Sequence, residues 1–253
     1  MYAEAWEKIE PPLFKNWSQY AFPHLLKAEH HYNLAWAARG GGFADSVSKD
    51  GWKTYEKELK RAESSFRDAW KMDNTDPETA RWMIEICVSL SYPRQEMETW
   101  FQRAMAADPG YFPACRTKLR YLEPKWGGSP EAMIAFGREC LTNTAYKGDV
   151  TTTLVEAYKI LAGYYHDEPA KLAQFYAWPQ LWQDVSEVYA EVARRDPDAT
   201  WYHNNLAWYA WRCGKWDALA QEVAKIQKPN YSYFGGEVGY QKMLDALKAH
   251  TKQ

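Results

Sequence analysis

Asn205-Leu206-Ala207-Trp208, with Gly214 eight residues after the leucine and Trp216 ten after it, decides how this chain is read. The same four residues recur near the other end as Asn33-Leu34-Ala35-Trp36. A short motif met at both ends points to a repeated structural unit. The segments around it carry helical periodicity. Tyr55, Leu59, Ala62, Phe66 and Ala69 fall at steps of four, three, four and three, one face of an α-helix. Met97, Trp100, Phe101 and Ala104 repeat this spacing, as do Ala132, Ala135, Phe136 and Cys140, and again Leu181, Val185, Val188, Tyr189 and Val192. No comparable stretch alternates with period two, so strands are not expected. Asp76-Pro77-Glu78 and Ser129-Pro130-Glu131 each read as an N-cap, a first-turn proline and an acid near the positive helix end. Asp108-Pro109 and Asp196-Pro197 close the helices before them, since proline cannot continue the ladder. Gly127-Gly128, Gly214 and Gly235-Gly236 mark turns.

Composition agrees with an all-helical chain and limits its partners. The 253 residues include 14 Trp and 18 Tyr, and the formal net charge is −2. So even a balance gives no overall basic field for nucleic acid. No run is long and apolar enough for a membrane helix, so membrane insertion is not expected. Cys87, Cys115, Cys140 and Cys213 form no C-x-x-C pair and read as buried reduced thiols. The N-terminal residues show no signal-peptide pattern. That favours the cytoplasm slightly, with the periplasm or secretion open if a leader has been removed.

The recurring motifs resemble the tetratricopeptide repeat, in which a helix bearing Leu-Gly/Ala is followed by a turn glycine, an aromatic and a second helix with A-x3-F-x2-A ending near D-P. Ala62-x3-Phe66-x2-Ala69 and Phe101-x2-Ala104-x3-Asp108-Pro109 fit the second helix, and Leu119, Gly127, Ala132 and Phe136 keep the same offsets in another copy. The resemblance implies an all-α, right-handed α-solenoid of about five degenerate helix pairs, over 29–74, 78–109, 112–145, 149–196 and 199–229. The repeat region is thus 29–229, with an N-terminal helical cap at 1–28 and a C-terminal cap at 230–253. Its closing helix is expected at 237–250, with Met243, Leu244 and Leu247 inward. Two pairs exceed the repeat length and need inserted loops, Gly40 to Asp50 and His166 to Trp178. A second resemblance covers 109–140: Pro124-Lys125-Trp126-Gly127-Gly128-Ser129 looks like a signature of an uncharacterised bacterial family. It implies bacterial origin and a helical-repeat fold, and no reaction.

Nothing in the sequence marks a catalytic centre. Gly40-Gly41-Gly42 lacks the Gly-Lys-Ser/Thr of a phosphate loop. Gly127-Gly128-Ser129 reads as a tight turn with Ser129 as N-cap and Trp126 as its packing anchor. His30 and His31 point about 100° apart on a helix and suit one metal poorly. His166-Asp167-Glu168-Pro169 lies in an expected loop, and His203 near a helix start faces groove or solvent. No metal, cofactor or enzymatic activity is expected.

The resemblance also implies which side chains face the inner groove. Tetratricopeptide proteins line it with the first helix of each pair, at positions that map onto Tyr32, Asn33, Trp36 and Arg39, onto Thr117, Lys118, Tyr121 and Lys125, and onto Asn204, Asn205, Trp208, Trp211 and Arg212. None is acidic. Asn can bond a peptide backbone in both directions, and Arg and Lys can hold a carboxylate. The second repeat offers Trp82, Met83, Ile86 and Ser89 and no cation. The functional expectation is therefore a protein- or peptide-binding module. Two alternatives stay open. One is a carbohydrate binder or enzyme using a Trp-rich groove covered by the 40–50 and 166–178 loops. The other is a structural subunit of an oligomer.

Overall fold

Helices this short gain most of their stability from an apolar face buried against a neighbour, so the packing partners of each helix define the architecture. In the computed structural model, residues 2–251 are described, and they form thirteen α-helices and no strand. Met1, Lys252 and Gln253, the outermost positions of the two expected caps, lie outside the described residues. The chain divides into two compact units. The division falls between Ser129 and Pro130, inside the expected third pair.

Of the described residues, the first unit comprises 2–129 and 145–147. It holds α1 (Tyr2–Trp17), α2 (Ala21–Arg39), α3 (Lys49–Met72), α4 (Pro77–Ser89), α5 (Arg94–Ala107) and α6 (Phe112–Tyr121). α2 runs unbroken across position 28, where the N-terminal cap was expected to end. It packs on α1 and along α3, and α4 packs on α3, α5 and α6. The α3 stripe is buried as spaced: Leu59, Ala62, Phe66 and Ala69 have no exposed surface and Tyr55 has 5%. Ser48 caps α3 by accepting from Gly51 N–H at 3.0 Å. Asp76 caps α4, accepting from the N–H groups of Glu78 and Thr79 at 3.0 and 3.1 Å. The 40–50 insertion is a connection with one 3-10 turn at Ala44–Ser46, and its last residues already belong to α3.

Of the described residues, the second unit comprises 130–144 and 148–251. It holds α7 (Pro130–Thr142), α8 (Thr153–Gly163), α9 (Pro169–Tyr176), α10 (Pro179–Arg195), α11 (Tyr202–Arg212), α12 (Trp216–Lys225) and α13 (Glu237–His250). Two expectations change here. The buried stripe of α7 is Met133, Phe136, Gly137 and Cys140, while Ala135 is exposed. The larger side chains one position along take the interior. The 166–178 insertion is not a loop, because Pro169 opens a further helix, α9. α13 covers α11 and α12 with Met243, and Leu244 and Leu247 pack on the same cluster.

A buried carboxylate ties α7, α8 and α10. Asp184 on α10 is 2% exposed and accepts both arms of the Arg138 guanidinium, at 2.8 and 3.1 Å. It also accepts from Tyr158 Oη at 2.5 Å and Gln180 Nε2 at 2.9 Å. Burial, with Asp184 adding to it, pushes the Tyr158 phenol well above its ordinary range, so the hydroxyl keeps the proton it donates.

α7 and α8 meet at a glycine. A Cβ at Gly137 would stand 2.5 Å from Leu154 Cα, whereas one at Gly163 would meet nothing within 4 Å. Gly137→Ala is therefore expected to destabilise the protein by about 1–3 kcal/mol through overpacking. Gly163→Ala should leave it unchanged or stabilise it by up to about 1 kcal/mol. Urea denaturation reads both, and a Gly137→Ala midpoint at or above wild type would show that the two helices do not approach this closely.

Candidate functional site

The two Asn-Leu-Ala-Trp motifs lie on α2 and α11, one in each unit. Each is preceded by a histidine three residues before its leucine, His31 and His203. Both histidines reach the following helix. His31 Nδ1 is 2.7 Å from Glu58 Oε2 on α3, and His203 Nδ1 is 2.6 Å from Glu222 Oε2 on α12. Both carboxylates are 6% exposed. Each also accepts from a cation three residues further on, Arg61 at 3.0 Å and Lys225 at 2.7 Å. The same His–Glu–cation arrangement thus recurs in both units. The sequence carried the signal, a histidine at one offset from the motif and E-x-x-R/K in the next helix, and reading the motif alone missed it.

The residues expected to line a groove have varied surroundings. Asn33 is exposed and lines a cleft of about 250 Å³ with Trp6 and Ile9 of α1. Asn205 faces the Tyr189 phenol of α10; burial pushes that phenol up, and Asn205 pulls the other way. The motif asparagine therefore turns toward the preceding helix in both units. Asn204 is 7% exposed and its Oδ1 accepts from Asn230 N–H at 3.0 Å. Thr117 is buried and donates to Pro113 O, and Lys118 is buried with Nζ 2.6 Å from Glu98. Tyr121 donates to Tyr92 O at 2.8 Å. Lys125 is exposed and pairs with Glu123 at 2.8 Å. In the second repeat Met83 and Ile86 are fully buried, and Trp82 stacks on Phe66.

In the first unit the cations near the motif tryptophan are engaged. Arg39 donates to Gly40 O and Gly42 O at 3.1 and 3.0 Å, with its guanidinium over Trp36 and Trp52. Arg120, which sequence reading passed over, lies 5.8 Å from the Trp36 ring and 5.6 Å from Trp126, and donates to Glu85 at 2.8 Å. Tyr32 lies edge-on to Trp82, and burial raises its phenol.

In the second unit one cation is free of such partners. Arg212, at the end of α11, is exposed and forms no ion pair among the described residues. Its guanidinium sits 4.7 Å from the ring centre of Tyr176, the last residue of α9, and 5.8 Å from that of Trp208. Trp208 meets Tyr176 edge-on at 5.5 Å. Burial pushes the Tyr176 phenol up to about 12, against the pull of Arg212, so it is a neutral platform at pH 7. Trp211 is half-buried and packs on the cluster of Ala207, Ala210, Leu219, Phe234 and Met243. Burial also pushes the Cys213 thiol up to about 12, so this neighbour is no nucleophile at neutral pH. A guanidinium held over one ring and bordered by another keeps its N–H fork for an anion.

Among the described residues no group of three or more His, Cys, Asp or Glu is arranged to hold a metal ion. Among the same residues no helix is long and apolar enough to cross a membrane. No protein-family model matches the chain, and no curated protein matches it either.

Structural and exposed residues of this site separate by stability. Glu58→Ala and Glu222→Ala strand the ring nitrogen of a mostly buried histidine, His31 or His203, and should each cost about 1–3 kcal/mol. Arg212→Ala should stay within about 0.5 kcal/mol. Thermal unfolding checks this ordering; an Arg212→Ala loss as large as that of Glu222→Ala would make Arg212 a structural residue.

Proposed function

We propose that the chain is a tetratricopeptide-like helical-repeat protein, a right-handed α-solenoid, whose role is equilibrium binding of a protein or peptide partner without bond chemistry. The His–Glu–cation arrangement, repeated between the motif helix and the helix after it, supports equivalent repeat units in the two halves. The observation that carries the binding reading is Arg212: exposed, stacked on Tyr176, bordered by Trp208, and without a carboxylate of its own. Such a group selects a planar anion with apolar surface beside it, which describes the C-terminal carboxylate of a peptide and its last side chain.

A tryptophan-rich saccharide groove under the two insertions has less support. Arg39 and the carbonyls of Gly40 and Gly42 hold the first insertion against Trp36 and Trp52. Tyr176 of the second insertion occupies one side of Trp208.

The test is a random peptide library presented in free-acid and C-terminally amidated forms. Free-acid peptides should be enriched, and amidation or Arg212→Gln should each weaken a selected peptide about tenfold or more, the value of a charge-assisted hydrogen bond. Equal capture of both forms, or capture indifferent to Arg212→Gln, would overturn the carboxylate reading.

A further inference from the structure

At the other end of α11 from Arg212, the second unit contains a cavity of about 310 Å³. It lies where the start of α11 meets the end of α12 and the segment entering the 3-10 turn Tyr231–Phe234. Lys225, Lys228, Asn204, Gln227, Asn230 and Trp201 line it, and no carboxylate does. Asn204 is more than nine-tenths buried. Its orientation is fixed because Oδ1 accepts from Asn230 N–H. Nδ2, with two protons to donate, has no hydrogen bond to a described group. Lys225 shares its charge with Glu222. Lys228 is exposed and pairs with no described carboxylate. Trp201 is 43% exposed and meets Tyr189 and Tyr202 at steep angles, 76° and 89°, which leaves ring surface uncovered.

Each feature narrows the ligand. Two cations, three amides and no acid favour an anion with several further acceptors and donors. An open indole beside them favours a ligand with an apolar face as well. The volume sits at the small end of the ~300–1,000 Å³ range of ligand pockets, room for a single ring and too little for a folded peptide turn. We propose that this cavity binds one acidic sugar: a hexuronate ring with its carboxylate toward Lys228, hydroxyls toward Asn204 and Gln227, and its C–H face on Trp201. The site is separate from Arg212 and does not rest on the peptide reading.

Isothermal titration with D-glucuronate, D-glucose and inorganic phosphate tests it on the intact chain. Glucuronate should bind, with glucose about tenfold weaker or more and phosphate a poor competitor. Lys228→Gln should weaken glucuronate about fivefold, the upper value of an exposed charge pair. Trp201→Ala should abolish detectable binding, and Arg212→Gln should change nothing. Lys228 is exposed and Trp201 partly so, and unchanged far-UV circular dichroism would show that both variants fold. Undetectable glucuronate binding by the wild type, glucose or phosphate binding as tightly, or affinity indifferent to both Lys228→Gln and Trp201→Ala would each overturn the proposal.

Discussion

Helices of eight to twenty-four residues do not hold their shape in water unaided, and the helices of this chain hold theirs by burying a stripe against a neighbour. The stripe sets which face turns inward but not the register along it. Buried polar links supply that. His31 with Glu58, His203 with Glu222 and Arg138 with Asp184 each join two helices within one unit. Such links add little net stability once their desolvation is counted. Their effect is that sliding either helix by a turn strands a buried charge or ring nitrogen, which is costly. The positions of Trp36, Trp208 and Arg212 depend on registers fixed in this way.

The abundance of tryptophan has the same origin. An indole supplies a large apolar area from one residue, which suits helices with few turns in which to make contact. Trp100 is 1% exposed and gives its N–H to Glu96. Trp82 stacks on Phe66, and Trp36 lies edge-on to Tyr55. Trp201 keeps nearly half its surface open, and Trp208 stands beside an unpaired cation. A count of tryptophans does not separate these roles; their partners do.

The helices were legible because periodicity and capping are local. The stripes of α3, α5 and α10 read off the spacing, and Asp76-Pro77 marks the start of α4. Ambiguity began where two registers of apolar residues competed. On α7 both Ala132-Ala135 and Met133-Phe136 have helical spacing, and side-chain volume decides for the second. The site was less legible because groove-facing positions were assigned by offset from one leucine, whereas a side chain's surroundings depend on helices distant in sequence. Lys118 finds Glu98, Tyr121 finds the Tyr92 carbonyl, and Asn204 finds the backbone of Asn230. None of those partners is visible from the helix that carries the residue.

Arg39 and Arg212 show how the two motif copies come to differ in what they offer a ligand. Aligned on Asn-Leu-Ala-Trp, Arg39 matches Trp211, and Gly40 matches Arg212. In the first unit the chain leaving α2 runs from Gly40 to Ser48 before α3 begins, and its first carbonyls fold back onto the guanidinium. In the second unit only Cys213, Gly214 and Lys215 separate α11 from α12. Gly214 takes a positive φ of 65°, and Lys215 N–H closes the turn on Ala210 O. Among the described residues, no carbonyl of this shorter turn accepts from the Arg212 guanidinium. The ring beneath Arg212 comes instead from α9, the helix contributed by the other insertion. The capacity to bind therefore depends less on the motif than on the connection after it and the helix packed opposite: a long connection occupies the cation, and a short one leaves its donors open.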